Sequence, residues 1–186
     1  MTEIWTSKLG TRYDRKEIDR LDATHHKQLQ ALRKLPENAQ CADCKAPHTV
    51  WAIVNHGVFV CLRCASIHRS MGTHISIPKG CTGTYLWGAD EISKMQVGNR
   101  RSNEAFGGDA IPTPPPDASD ATLTSFLRDK YERRRWAVRK AASAPPSLED
   151  HPDLISFPDD AFEPTPPAIA AAGGGADVDF FGSWGL

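Results

Sequence analysis

The sequence predicts an α+β domain gathered around a metal centre, and three observations carry that prediction. Four of the five cysteines fall into two Cys-x2-Cys pairs, Cys41 with Cys44 and Cys61 with Cys64, with sixteen residues between the pairs. Those sixteen residues read as a β-hairpin, and segments of helical periodicity stand on either side.

The cysteine pairs are the most specific signal. Zinc takes four soft donors in a tetrahedron, and each Cys-x2-Cys turn aims two thiolates at one point. The intervening residues are enough for a hairpin that returns the second pair to the first. Cys41, Cys44, Cys61 and Cys64 are therefore the expected ligands of one structural Zn2+. Four thiolates close the coordination shell, so the metal has no open position for chemistry. A redox use of the pairs is not expected, because no βαβ unit surrounds them. His48, His56, His68 and His74 are surplus as ligands, and Cys81 reads as a small buried residue.

The elements follow in order. Residues 1–15 show little periodicity and read as an N-terminal tail. A helix is expected over 16–35, where Ile18, Leu21, His25, Leu29, Leu32 and Leu35 recur at three- and four-residue steps. Asp14 with Glu17 resembles a capping box at its start, and Pro36 supplies a stop. The hairpin strands are expected over 50–54 and 58–61, joined by Asn55-His56-Gly57. A helix over 62–71 ends at Gly72. Pro78, Gly80 and Gly83 mark an irregular stretch, followed by short helices over 89–97 and 99–106. After the Pro-rich loop at 112–116, Ser119 caps a last helix with Leu123, Phe126, Leu127 and Tyr131 on one face.

Composition divides the chain. Every Lys and Arg lies at or before Lys140, and the residues after it hold eight acids and seven prolines. The foldable domain is placed at 16–140, and 141–186 reads as a disordered tail too poor in apolar residues to form a core. Up to Lys140 there are 22 basic and 15 acidic residues, a formal +7. That balance suits an acidic partner. Arg133, Arg134, Arg135, Arg139 and Lys140 are the candidate contacts with an anionic membrane surface, and short acidic-aromatic segments of the tail are candidate docking sites for coat or adaptor proteins. No apolar run is long enough to span a bilayer. The first residues lack a signal-peptide pattern, and Thr2 stands where myristoylation needs Gly. A cytoplasmic address is expected.

One run of residues carries the functional question. Cys41-Ala42-Asp43-Cys44, Pro47, Trp51-Ala52, Asn55, Gly57-Val58-Phe59-Val60-Cys61, Arg63-Cys64 and Ile67-His68-Arg69-Ser70-x-Gly72-x-His74-Ile75-Ser76 resemble the Arf GTPase-activating protein (ArfGAP) domain, and Trp87, Met95, Gly98-Asn99, Asn103 and Lys130-Tyr131-Glu132-x-x-Arg135 extend the match. The resemblance implies a small three-stranded sheet surrounded by helices. It also implies stimulation of GTP hydrolysis on Arf-type small GTPases in vesicle trafficking, on Golgi or endosomal membranes. By that resemblance Arg69 is the arginine finger, an activator's residue acting in trans on another protein's nucleotide. Trp51 would pack over the knuckle and hold the finger helix. Asn99 and Asn103 would make structural hydrogen bonds. The chain has no G-x-x-x-x-G-K-[ST] loop and is not expected to be a nucleotide-binding enzyme itself.

The chain departs from the family pattern after Ser76. A basic residue and a Ser-Leu-x-Leu-Asp-x-Trp-like stretch would be usual; Ile77-Pro78-Lys79-Gly80-Cys81-Thr82-Gly83-Thr84-Tyr85-Leu86-Trp87 stands there instead. A looser region is expected, with altered affinity or partner choice. Two other readings stand beside the activator. A GATA-like finger uses a similar cysteine spacing to bind nucleic acid, but the helix after Cys64 carries only Arg63 and Arg69 as cations, so nucleic acid is not expected as a partner. A catalytically silent interaction module would keep the fold without the activity.

Overall fold

Asp14 opens the longest helix. Its carboxylate accepts from the backbone N–H of Lys16 at 2.8 Å and of Glu17 at 3.4 Å, and α1 (Arg15–Lys34) runs from there to the Pro36 stop. The expected capping box is only half formed. Glu17 turns away from the N-cap and pairs with Arg20 at 2.7 Å. Ile18, His25, Leu29 and Leu32 form the buried stripe, and His25 donates from Nδ1 to the Trp87 carbonyl at 2.6 Å. The computed structural model describes residues 3–137. The expected tail at 141–186, its candidate docking segments, and Arg139 and Lys140 lie outside the described residues.

The hairpin forms as the sequence implied. β3 (Trp51–Ile53) and β4 (Val58–Val60) pair antiparallel, with a 3-10 turn over Val54–His56 between them. Gly57 closes the turn at φ +66, and a Cβ there would lie 2.5 Å from the Lys94 carbonyl oxygen, so only glycine fits without moving backbone. β5 (Pro78–Gly80) pairs with the other edge of β3, giving the order β4-β3-β5. The three-stranded sheet is thus present, and its third strand lies in the stretch expected to be irregular and loose. Proline is admissible there because β5 is an edge strand. The strand is also anchored by a charge. Lys79 Nζ is buried 2.5 Å from the Glu91 carboxylate and lies between the rings of Trp87 (4.6 Å) and Trp5 (5.3 Å).

The reading of residues 1–15 as a tail is corrected. β1 (Ile4–Thr6) and β2 (Arg12–Asp14) form a second antiparallel hairpin. It docks on the start of α3 (Ala89–Met95): Ser7 Oγ and Tyr13 OH donate to the two Asp90 oxygens at 2.6 and 2.8 Å, and the Lys8 N–H donates to Glu91 at 2.9 Å. These polar contacts are made by residues remote in sequence, which periodicity cannot reveal.

The remaining helices are α2 (Leu62–Ser70), α4 (Gly98–Phe106) and α5 (Asp120–Leu127), which runs into a π-helical turn, Arg128–Glu132. Asn99 on α4 accepts from the Phe59 N–H at 2.7 Å and donates to the Phe59 and Gln40 carbonyls at 3.1 and 2.7 Å, so one buried amide ties α4 to β4 and to the first knuckle. Ser119 caps α5 through the Thr122 N–H at 3.1 Å. Leu123, Phe126, Leu127 and Tyr131 share one buried face, packed with Val58, Val60, Ala65 and Ile67 in the core that surrounds the cysteines. Arg63 holds the chain before α5 against α2 by bonding Asp120 at 2.6 Å and the Pro116 carbonyl at 3.0 Å.

Candidate functional site

The first knuckle is a tight turn. The Cys41 N–H donates to the Ala46 carbonyl at 2.8 Å, the Lys45 N–H returns to the Cys41 carbonyl at 3.0 Å, and the Ala42 N–H reaches the Phe59 carbonyl at 3.1 Å, which fastens the turn to β4. The second knuckle is where β4 becomes α2. Cys61 is the N-cap of that helix, and its sulfur accepts from the Cys64 N–H at 3.5 Å. All four sulfurs are buried and lie within 4.8 Å of one another.

That geometry fits zinc. Four sulfurs at about 2.3 Å from a tetrahedral ion are about 3.8 Å apart, and the Cys44 and Cys61 sulfurs are separated by 3.7 Å. The protonation chemistry of the donor set agrees. Contact with Cys41, then with Cys44 and Cys64, holds the Cys61 thiol well below the ordinary range. Cys41 is pushed far up, first by its bond with Cys44, and Cys64 likewise, first by its bond with Cys41. The four cannot all ionise without a cation among them; a dication would hold every one as thiolate. The four cysteines form the zinc site, and the ion there would supply no reaction chemistry, only the closure of both knuckles.

None of the surplus histidines belongs to this group. His48 and His74 are exposed, and Cys81 is buried elsewhere, its thiol pushed up to about 12 by burial. His56 packs against the rings of Phe106 and Tyr131 at 5.4 and 4.7 Å and donates from Nε2 to the Ile75 carbonyl at 2.8 Å. His68 is fully buried in a cluster whose members belong to the quoted family match but whose convergence the sequence does not reveal. Its Nε2 donates to Asp43 Oδ2 at 3.0 Å, and its Nδ1 meets Ser76 Oγ at 2.8 Å. Asp43 Oδ1 accepts from Lys130 Nζ and from Tyr131 OH, both at 2.7 Å. Lys130 completes its shell with Asn103 Oδ1 at 2.8 Å and the Ala42 carbonyl at 3.2 Å. Burial by itself would raise the Asp43 pKa, but Lys130 and His68 outweigh it and hold the carboxyl well below its usual range. One signal for this cluster was present. Lys130 stands three residues after Leu127 on the apolar face, and a lysine is almost never fully buried unless it is paired.

Arg69 directly follows His68, about 100° further round the helix, and points outward. It is exposed near the end of α2. Among the described residues it pairs with no carboxylate, and its guanidinium lies over the Trp51 indole at 4.9 Å. Trp51 is half-buried on β3, opposite Val60 on one side and Gly80 on the other, so the ring is carried by the sheet while the arginine is carried by the zinc-anchored helix. Elsewhere, Arg133 and Arg135 share Asp129 at 2.5 and 3.2 Å, and Arg134 lies over Phe106 at 5.5 Å, so this basic stretch is less free than its sequence suggests.

Residues 26–140 match the family model ArfGap, described as "Putative GTPase activating protein for Arf". The chain belongs to the ArfGap family. Among curated ArfGap-like relatives, 127 residues are 37% identical to the "Probable ADP-ribosylation factor GTPase-activating protein AGD15" of Arabidopsis thaliana, covering 68% of this chain and 53% of that protein. Over 134 residues the chain is 34% identical to "Stromal membrane-associated protein 1" of Homo sapiens, covering 72% of this chain and 28% of that one. The chain therefore spans about half of the first relative and less of the second. Among solved structures it resembles the "ArfGap domain of HIV-1 Rev binding protein", with a TM-score of 0.57 and 27% identity over 66% of this chain and 94% of that chain.

Proposed function

We propose that this chain stimulates GTP hydrolysis on an Arf-type small GTPase, with Arg69 supplied in trans as the arginine finger. The observation that carries the reading is the state of Arg69: an exposed guanidinium with no carboxylate partner among the described residues, on a helix pinned at its start by the zinc knuckle. Phosphoryl transfer spreads negative charge over the γ-phosphate oxygens and the leaving oxygen. A cation that is already placed stabilises that charge without ordering a floppy side chain at the moment of reaction, an effect worth roughly 10³ to 10⁵ in rate for arginine fingers. Trp51 supports the role by holding the guanidinium over its π-face, which leaves the N–H donors unclaimed. The GTPase would bring nucleotide, magnesium and water; this chain brings the arginine and the docking surface, as an activator rather than a nucleotide-binding enzyme.

The test is single-turnover hydrolysis on a GTP-loaded Arf-type GTPase with wild-type protein, Arg69→Ala and Arg69→Lys. Both variants should fall by roughly 10³ or more, the lysine included because it lacks the planar fork. Both should melt as the wild type does, since Arg69 is exposed. Equal rates for wild type and Arg69→Ala would overturn the finger role and favour a silent binding module.

A further inference from the structure

The mechanism does not use the buried charges beneath Arg69, yet they converge on the residue next to it. A lysine and an aspartate with almost no exposure are costly to bury, and an apolar pair of equal volume often serves stability as well. What the charges do here is geometric. Asp43, between the two ligands of the first knuckle, takes Nε2 of His68 on one oxygen. Lys130 and Tyr131 take its other oxygen, from the far end of the domain. Ser76, beyond the end of α2, takes His68 Nδ1. The imidazole is thus held from both edges, at the residue directly before Arg69 and about 100° from it round α2.

α2 (Leu62–Ser70) is fastened by the knuckle at its start and packed through Ala65 and Ile67, but it ends one residue after Arg69, where a helix frays. The two bonds to His68 oppose that fraying within one residue of the guanidinium. We infer that Asp43, Lys130 and Ser76 are positioning residues for Arg69, acting through His68. The inference rests on the finger role of Arg69. Lys130 makes the C-terminal π-turn part of the site although it stands 87 residues from Asp43 in the chain.

The experiment measures multiple-turnover hydrolysis, with a GTP-loaded Arf-type GTPase as varied substrate, for wild type, Ser76→Ala, Lys130→Met and Arg69→Ala, and for the first two changes combined with Arg69→Ala. Zinc content and thermal melting are recorded for each. Displacing a reacting group by about 1 Å can cost on the order of 10²-fold, so kcat should fall about tenfold to a hundredfold in Ser76→Ala and Lys130→Met with KM changed by less than about twofold and zinc retained. In the Arg69→Ala background neither change should cost more, because the group being positioned is gone. Wild-type kcat in both folded single variants overturns the inference and leaves the finger role standing; so does an equal further loss on top of Arg69→Ala. Should Lys130→Met fail to fold, Ser76→Ala, which removes one hydroxyl and no charge, decides alone. If Arg69→Ala is as active as wild type, the finger role falls and the positioning role falls with it.

Discussion

Acidification should weaken this fold through His56 in particular. The ring is enclosed by Phe106 and Tyr131 and donates to the Ile75 carbonyl. Burial lowers its pKa from 6.5 to about 4, while the bond to the Ile75 carbonyl opposes the shift. The folded pKa lies below the unfolded one, so between those values the unfolded chain binds more protons. Stability is therefore greatest above about pH 6.5 and falls as the pH drops toward 4, levelling off below that value. The full shift corresponds to about 3 kcal/mol, and about 1.3 kcal/mol of it should be lost between about pH 7.5 and about pH 5.5. The assay is denaturant unfolding of zinc-saturated protein at those two pH values, for wild type and for His56→Gln, whose amide can still donate to Ile75 but does not titrate. Other titrating groups are common to both proteins and cancel in the difference. Wild type should lose about 1.3 kcal/mol more than the variant. Equal losses would refute the claim that this imidazole is held neutral.

Two further outcomes follow from the zinc site and the N-terminal hairpin. A strong chelator should abolish cooperative melting and much of the helical circular dichroism, both restored by added Zn2+, because binding by four thiolates contributes on the order of 10 kcal/mol, comparable to a domain's whole stability; a melt unchanged by chelation would argue against a structural metal. Asp90→Ala removes the acceptor of Ser7 and Tyr13 and should speed amide hydrogen exchange in β1 and β2 while leaving β4 protected; a uniform change, or none, would show that the hairpin is not held through this carboxylate.

Much of the architecture was legible because its signals are local. The hairpin could be read from β-branched residues around Asn55-His56-Gly57, and the face of α5 from the spacing of Leu123, Phe126 and Leu127. The missed pieces share one property: their stabilising contacts come from distant residues. β1 and β2 are three-residue strands without a buried apolar side chain, so there was no alternation to detect, and they are held by α3. β5 is Pro-Lys-Gly, poor in strand-forming types, and is held by pairing with β3 and by the Lys79–Glu91 ion pair. Glu17 had the right spacing for a capping box, but Arg20 offered it a charged partner one turn away.

By itself the sequence determined the metal site, since two Cys-x2-Cys turns with a hairpin between them leave the sulfurs little choice but to converge, and it determined that Arg69 follows the second pair on a helix. The resemblance pointed to Trp51 as a support of the finger helix, but only the tertiary structure decided how that arginine is held. Trp51 comes from the sheet, eighteen residues earlier in the chain. Asp43 stands 25 residues from His68 and 87 from Lys130. A charged side chain is buried only where an opposite charge and enough hydrogen-bond partners meet it, and that meeting is a property of the assembled core rather than of any segment.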